Sequence, residues 1–276
     1  MSYYKVLGLE KEPFSTSPDP AFFYESGEHR AALMRLMVEI RLKRGLSLIL
    51  GDVGTGKTTL SRKLFHMLKE RQDIIFHMIL DPTYETEEIF LDSLIRTFKI
   101  EIGKPQPSVL DYKEALKKYL FQKGVEEGKT VVLLIDEAQK LNLLSLEILR
   151  VLLNYETNEF KLLQLVLLSQ MELLPRLRQM KNFWDRINLK YVLNPLDEAE
   201  TKELIEFRLS AAGYHQGMEF FTGEAIGEIY RYTQGYPRRI SMICHHALKT
   251  LVMENKPVVD ASLIRDLISQ EARVSV

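Results

Sequence analysis

The sequence has 276 residues, of which 46% are hydrophobic and 27% are charged, with 14 glycines and 10 prolines. This composition is that of a folded globular protein and excludes a disordered, collagenous or low-complexity chain. Because 37 basic residues balance 38 acidic ones, no overall positive charge draws the chain to nucleic acid or to an anionic membrane, although local patches remain compatible with this balance.

Cysteine usage and hydropathy indicate a cytoplasmic protein. The single cysteine, Cys244, has no second thiol for a disulfide or a zinc site, which is typical of a reducing compartment. The N-terminus lacks the pattern of a secretory signal, and no run approaches the roughly 18 apolar residues of a membrane span. We therefore expect no direct membrane insertion, although a partner protein can hold the chain at the inner face of a membrane.

At the N-terminus the sequence predicts an arm followed by a helix. Residues 1–25 are rich in proline and aromatic residues, which predicts an extended arm with turns rather than a helix. From Ser26 to Arg44 the apolar residues recur at helical spacing, and Gly45 ends the pattern. Residues 46 to 195 then alternate short apolar runs with helical patterns, which predicts a mostly parallel sheet covered by helices on both faces. The five predicted strands cover residues 46–50, 74–79, 131–135, 163–168 and 187–193.

The pattern changes after Pro195, because helical periods follow one another without another apolar strand. These predicted helices cover residues 197–212, 222–233, 237–254 and 260–271. The sequence therefore predicts an α/β class protein in three parts: an arm (residues 1–25), an α/β domain (26–195) and a small all-helical domain (196–276).

A phosphate-binding loop is predicted between the first strand and the next helix. The pattern G-x-x-x-x-G-K-[ST] is matched by Gly51, Asp52, Val53, Gly54, Thr55, Gly56, Lys57 and Thr58. Backbone N–H groups and the helix N-terminus would hold the phosphates, with Thr59 in the first helical turn. Lys57 would reach the β- and γ-phosphates, and the Thr58 hydroxyl would bind Mg²⁺. The alternative is a glycine turn that carries Lys-Thr by chance; the strand and helix around it argue against that.

Two adjacent carboxylates, Asp136 and Glu137, end the third predicted strand. At the carboxyl edge of a parallel sheet, Asp136 can orient Mg²⁺ and Glu137 can polarise a water for attack on the γ-phosphate. Alone, the pair is equally typical of a solvated helix cap. No N/TKxD-type guanine signature or acceptor site of a small-molecule kinase is apparent, so the two motifs favour an ATPase.

Together these residues resemble AAA+ ATPases, and within them the ExeA-type family, the general secretion pathway protein A family. The run from Asn154 to Gln164 makes the resemblance specific to this family. The other matching stretches are Pro13-Phe14, Pro18-Asp19, the helix around His29, the phosphate loop, Val131 to Gln139, Lys161 to Leu167, Arg186-Ile187 and Gly235 to Arg238. The resemblance implies a P-loop NTPase of AAA+ type whose C-terminal helical domain is a lid over the nucleotide.

The resemblance also implies three further site residues. Gln170 would be the first sensor of the γ-phosphate or attacking water, although Ser169 to Leu173 departs from the Gly-Gln-Pro-Glu-Leu usual in the family; a helix cap or exposed residue is the alternative. Arg186 would be an arginine finger for a neighbouring subunit, with Arg178 or a plain salt bridge to Asp185 or Glu172 as alternatives. Arg238 would be the second sensor, with Arg239 or two surface charges as alternatives.

Other candidates are weaker. Phe14, Tyr24 and His29 are possible adenine contacts, but aromatic side chains in a proline-rich arm are more often simple packing. Trp184 is expected in the core or an interface. His245 and His246 lie in a helical pattern without the spacing of metal ligands, so no metal site is expected there.

The function predicted from these features is a magnesium-dependent ATPase that assembles into a ring or filament and performs conformational work in secretion or pilus and envelope assembly. The alternative from another class is an ATP-dependent DNA-binding regulator that selects transposition targets. A third is a nucleotide switch whose turnover is slow until a partner arrives. Many family members continue into a membrane span and a peptidoglycan-binding domain; this chain is expected to be either a stand-alone member or the cytoplasmic part of a longer protein.

Overall fold

In the computed structural model, residues 2–15, 20–214 and 219–274 are described. Within them, five strands are present: β1 (Leu46–Gly51), β2 (Ile74–Ile79), β3 (Thr130–Ile135), β4 (Leu163–Ser169) and β5 (Ile187–Leu193). They form one parallel sheet in the order β2-β3-β4-β1-β5. The predicted parallel five-stranded sheet is confirmed.

The three central strands are almost entirely buried, which explains their continuous apolar runs. The edge strand β5 alternates buried residues with the exposed Asn188 and Lys190, since one side of an edge strand faces water.

Helices cover both faces of this sheet. The helices along residues 27–184 are α2 (Gly27–Arg41), α3 (Lys57–Leu68), α4 (Glu87–Phe98), α5 (Val109–Phe121), α6 (Leu143–Leu152), α7 (Leu173–Gln179) and α8 (Lys181–Trp184). One face packs Leu48, Leu133 and Leu165 against α4 to α8. The other packs Ile49 and Val166 against α2 and α3. The period-2 alternation of each strand divides its side chains between the two cores.

Contacts divide the chain into two compact units, and the first consists of residues 28–52 and 60–193. The second comprises the described residues of 1–27, 53–59 and 194–276. Its helices are α1 (Tyr3–Val6), α9 (Glu198–Ala211), α10 (Gly223–Thr233), α11 (Pro237–Met253) and α12 (Ala261–Val274). The bounds of α9 to α12 agree closely with those of the four helices predicted after Pro195. The boundaries of the predicted arm, α/β domain and lid stay a prediction.

The prediction of an extended arm with turns rather than a helix is wrong for the first described residues, which include a helical turn. Tyr3–Val6 form one helical turn and Pro20–Phe22 form a 3₁₀ turn. Leu9, Phe14 and Phe22 are buried in the core of the second unit with residues of α9 to α12, so apolar burial orders this segment. Pro18 and Asp19 lie outside the described residues. Along the part of the chain that the structure describes, no helix has both the length and the hydropathy to cross a membrane.

His77 in β2 makes the stability of the first unit sensitive to acid. Its ring stacks on Phe98 with centroids 4.5 Å apart, and its Nε2 lies 3.1 Å from the Tyr119 hydroxyl. Burial lowers the pKa of His77 from 6.5 to about 4, because desolvation disfavours the charged ring. The neutral ring therefore contributes stability that is present above pH 6.5 and lost as the pH falls towards 4.

We expect the free energy of unfolding to fall between pH 6.5 and pH 4 by on the order of 2 kcal/mol more in the wild type than in His77→Phe. Urea denaturation at both pH values measures this difference. The control is His66→Phe, which replaces an exposed histidine of α3 and should keep the wild-type pH dependence. An unchanged pH dependence in His77→Phe contradicts the prediction.

Candidate active site

The phosphate loop follows the buried strand β1 and leads directly into α3. Gly54 and Gly56 have φ of +88° and +96°, a left-handed conformation that glycine adopts without the steric cost of a Cβ. Thr55 and Lys57 are buried, at 1% and 6% exposure. Because α3 begins at Lys57, the partial positive charge of a helix N-terminus lies at the end of the loop and favours an anion. The chemistry of this segment fits a bound triphosphate.

Within the second unit, the start of α11 lies against the phosphate loop. The Arg238 N–H donates to the Gly54 carbonyl at 3.4 Å, and a Cβ on Gly54 would lie 3.1 Å from the Arg238 Cβ. Just before α11, the chain requires glycine at Gly235: its φ is +74°, and a Cβ there would lie 1.8 Å from the Leu196 carbonyl oxygen. Arg239 instead lies over the Tyr236 ring, 5.7 Å from its centroid. Arg238, rather than Arg239, therefore contacts the backbone of the loop.

The acidic pair occupies a strained turn at the end of β3. Asp136 is 2% exposed, and Glu137 has φ of +53° and ψ of +36°. The Glu137 N–H donates to Asp136 Oδ1 at 2.9 Å, which holds this turn. A left-handed conformation costs a residue with a Cβ about 1–3 kcal/mol and tends to occur at functional sites. The turn leaves Asp136 buried and Glu137 half-buried.

Gln139 connects Glu137 to the end of β4. Its Nε2 donates to Glu137 Oε2 at 2.6 Å, while its Oε1 accepts from the Gln170 N–H at 3.1 Å and from the Ser169 hydroxyl at 3.3 Å. Arg176 donates to the Gln139 carbonyl at 2.8 Å and also to the Leu141 carbonyl. The structure thus brings Glu137 and the backbone of Gln170 to one side chain. Our sequence reasoning missed Gln139; the available signal was an amide two residues after the glutamate.

The topology brings the ends of three strands to one edge of the sheet. Because β1, β3 and β4 are parallel, Gly51, Asp136 and Gln170 all follow or end strands at the carboxyl edge, where α/β proteins bind ligands. The first unit therefore places the two carboxylates, Gln170 and the start of the phosphate loop at the same edge of the sheet, where these strands end.

Arg186 lies at the opposite end of the strands, where β5 begins. It immediately precedes β5, and its side chain donates to Asn154 Oδ1 at 2.6 Å and to the Asn182 carbonyl. It borders a surface cavity of about 540 Å³ that is also lined by Lys43 and Lys161. At about 3.3 Å per residue, the seven residues of β5 separate its two ends by about 20 Å. Arg186 is therefore remote from Glu137 of its own chain.

The remaining candidates lie elsewhere. Arg178 is exposed, and it lies over the ring of Trp184, 5.7 Å from the centroid. Phe14 is buried edge-on against Phe221 with centroids 6.1 Å apart. The Tyr24 hydroxyl donates to Glu203, and His29 is a buried residue of α2. Phe14 and Tyr24 belong to the second compact unit and His29 to the first, and their role as adenine contacts stays a prediction.

Comparison with known proteins agrees with these features. A family profile described as an AAA domain matches residues 40–177. General secretion pathway protein A of Aeromonas hydrophila is 38% identical over 248 residues, which are 89% of this chain and 44% of that protein. The chain thus spans less than half the length of this relative.

Solved structures show the same fold at low sequence identity. The Aeropyrum pernix ORC2 protein, in ADPNP-ADP complexes, has a TM-score of 0.67 and 17% identity, with 94% of this chain and 71% of that chain covered. Drosophila ORC bound to DNA has a TM-score of 0.67 and 19% identity, with 98% and 66% covered. The comparisons confirm the predicted resemblance to general secretion pathway protein A and the predicted class of P-loop ATPase. The chain belongs to the AAA domain family.

Proposed function

We propose that the protein binds ATP with Mg²⁺ at its phosphate loop and hydrolyses it in a site completed by a second copy of the chain. The observation that carries this proposal is the turn at Asp136 and Glu137. It holds two adjacent carboxylates in a strained conformation at the edge of the sheet where β1 leads into the phosphate loop.

Each residue has a role that its chemistry supports. The loop residues Gly51 to Thr59, with Lys57 and Arg238, would bind the phosphates through N–H groups and positive charge. Thr58 and Asp136 would hold Mg²⁺, because a hydroxyl and a carboxylate are the hard oxygen ligands that this ion prefers. When bound, Mg²⁺ neutralises charge on the phosphate oxygens.

Glu137 would take a proton from the attacking water as general base. Gln170 would orient that water, since its amide offers both a donor and an acceptor.

The position of Arg186 supports self-assembly. A guanidinium about 20 Å from the carboxyl edge, by strand length, is too far to reach phosphates bound at that edge. Arg186 of a second copy would serve instead, stabilising charge that develops on the phosphates during hydrolysis. Such a contact is head-to-tail, because one surface of each copy meets a different surface of the next. Head-to-tail contacts generate closed rings or open filaments.

The similarity to general secretion pathway protein A supports a role in secretion or in pilus and envelope assembly. ATP-driven assembly would perform conformational work on an envelope partner, with the chain on the cytoplasmic side of the inner membrane. DNA is the alternative partner, since Drosophila ORC, which shares the fold, is described as bound to DNA. The balanced net charge favours the protein partner.

Turnover and assembly are expected to rise together. Particle size and ATP turnover per subunit, measured over a range of protein concentration with ATP and Mg²⁺, should increase in parallel, and chelation of Mg²⁺ should abolish turnover. Double-stranded DNA should change neither quantity. If both rise only when DNA is added, the DNA-regulator function replaces the envelope function. A turnover per subunit that is independent of concentration, in particles that stay monomeric, contradicts the shared site.

A further inference from the structure

The side chain of Gln139 makes three hydrogen bonds. They connect Glu137, which follows β3, to the residues at the end of β4, which are distant in the sequence. The side-chain Nε2 donates to Glu137 Oε2. The side-chain Oε1 accepts from the Ser169 hydroxyl and from the Gln170 N–H. The amide therefore uses its donor toward the glutamate and its acceptor toward the end of β4. One side chain cannot move without affecting both neighbours.

The backbone of Gln139 is fixed independently of its side chain. It lies in the 3₁₀ turn Ala138–Lys140, and Arg176 of α7 donates to its carbonyl oxygen. Ala138, the first residue of this turn, is fully buried. A side chain on a rigid backbone, with an amide that both donates and accepts, is suited to hold a neighbouring carboxylate in one orientation. The side chain of Gln139 then has little rotational freedom left to lose when its hydrogen bonds form.

We infer that Gln139 is a positioning residue that orients the Glu137 carboxylate and couples that orientation to the turn that carries Gln170. This inference rests on the proposed role of Glu137 as general base. Gln139 itself acts through Glu137, and its effect is expected on the rate of the chemical step rather than on nucleotide affinity. A movement of the Ser169–Gln170 turn would then change the direction in which Glu137 points.

Two substitutions separate positioning from a purely structural role. Gln139→Met keeps the length of the side chain and removes both the donor and the acceptor. Gln139→Glu keeps an oxygen that accepts from the Gln170 N–H, but it places a carboxylate opposite the Glu137 carboxylate in place of the donor. A structural role in holding the end of β4 would be largely preserved in Gln139→Glu, whereas positioning of Glu137 would be lost in both.

The experiment measures kcat and KM for ATP with Mg²⁺, together with thermal unfolding, in the full chain. We expect kcat to fall about 10- to 100-fold in Gln139→Met, and at least as far in Gln139→Glu, while KM changes by less than about threefold. The control is Asn142→Leu. Asn142 follows the same turn and also uses its amide on both sides, toward the Tyr84 carbonyl and the Ser145 N–H, but these bonds lead away from Glu137. It should lose thermal stability and keep kcat within about threefold.

The outcomes distinguish this inference from the function on which it rests. If wild-type protein hydrolyses ATP, Glu137→Gln does not, and Gln139→Glu retains wild-type kcat, the positioning role is overturned and the proposed function stands. A kcat retained in Gln139→Met leads to the same conclusion. If Glu137→Gln stays active, the general base lies elsewhere and both proposals fall together. Should Gln139→Met fail to fold, Gln139→Glu alone decides, because it keeps the polar contact to β4.

Discussion

Glu137→Gln is expected to bind ATP with wild-type affinity and to hydrolyse it at least about 100-fold more slowly, the usual range for loss of a general base. The amide keeps the shape of the side chain and an oxygen that accepts from Gln139, but it cannot take a proton from water at neutral pH. Titration with a fluorescent ATP analogue measures binding, and phosphate release measures turnover.

Two comparisons make this result specific. Lys57→Ala, which removes the positive charge at the start of α3, should weaken nucleotide binding itself, whereas Glu137→Gln should leave it intact. The matched control is Glu85→Gln, an exposed glutamate on the loop that follows β2, which should behave as wild type in both assays. A Glu137→Gln protein with wild-type turnover contradicts the assignment of the base.

Arg186→Ala should retain nucleotide binding and lose turnover by about 10³-fold, the lower end of the effect of an arginine finger. The physical reason is that a guanidinium stabilises charge that exists only in the transition state, so its removal leaves ground-state binding unaffected. Single-turnover phosphate release at a protein concentration at which the wild type is assembled measures the loss.

Arg178→Ala is the matched control for Arg186. Arg178 is also a basic residue of the segment before β5, but it is exposed and lies over the Trp184 ring, so its removal should change turnover by less than about threefold. The reverse pattern, with normal activity in Arg186→Ala and loss in Arg178→Ala, would assign the finger to Arg178.

Most of the sheet could be predicted because burial on both faces produces continuous apolar runs, as in Val131 to Ile135. The long helices could be predicted from amphipathic spacing and terminal signals such as Pro237 at the start of α11. The short helices α7, α8 and α1 were missed, since four to seven residues are too few to display a helical period. In the N-terminal segment the helical turn Tyr3–Val6 was not predicted, and the burial of Leu9, Phe14 and Phe22 there depends on distant residues of α9 to α12.

The candidate site was predicted in pieces rather than as a network. Local spacing identified the phosphate loop and the pair Asp136 and Glu137, because each motif is continuous in the sequence. The link through Gln139 to Gln170 joins residues 31 positions apart, and such a contact depends on β3 and β4 lying side by side. The position of Arg186 at the opposite edge likewise follows from strand order and direction.

The central claim, that a second copy completes the site, is tested most directly by mixing two inactive variants. Glu137→Gln retains Arg186, and Arg186→Ala retains Glu137, so a mixed assembly contains interfaces at which both groups are present. We predict that equal mixtures, assembled with ATP and Mg²⁺, recover a substantial part of wild-type turnover, although each variant alone is inactive. A mixture that forms assemblies containing both variants but is no more active than the sum of its components would contradict the account.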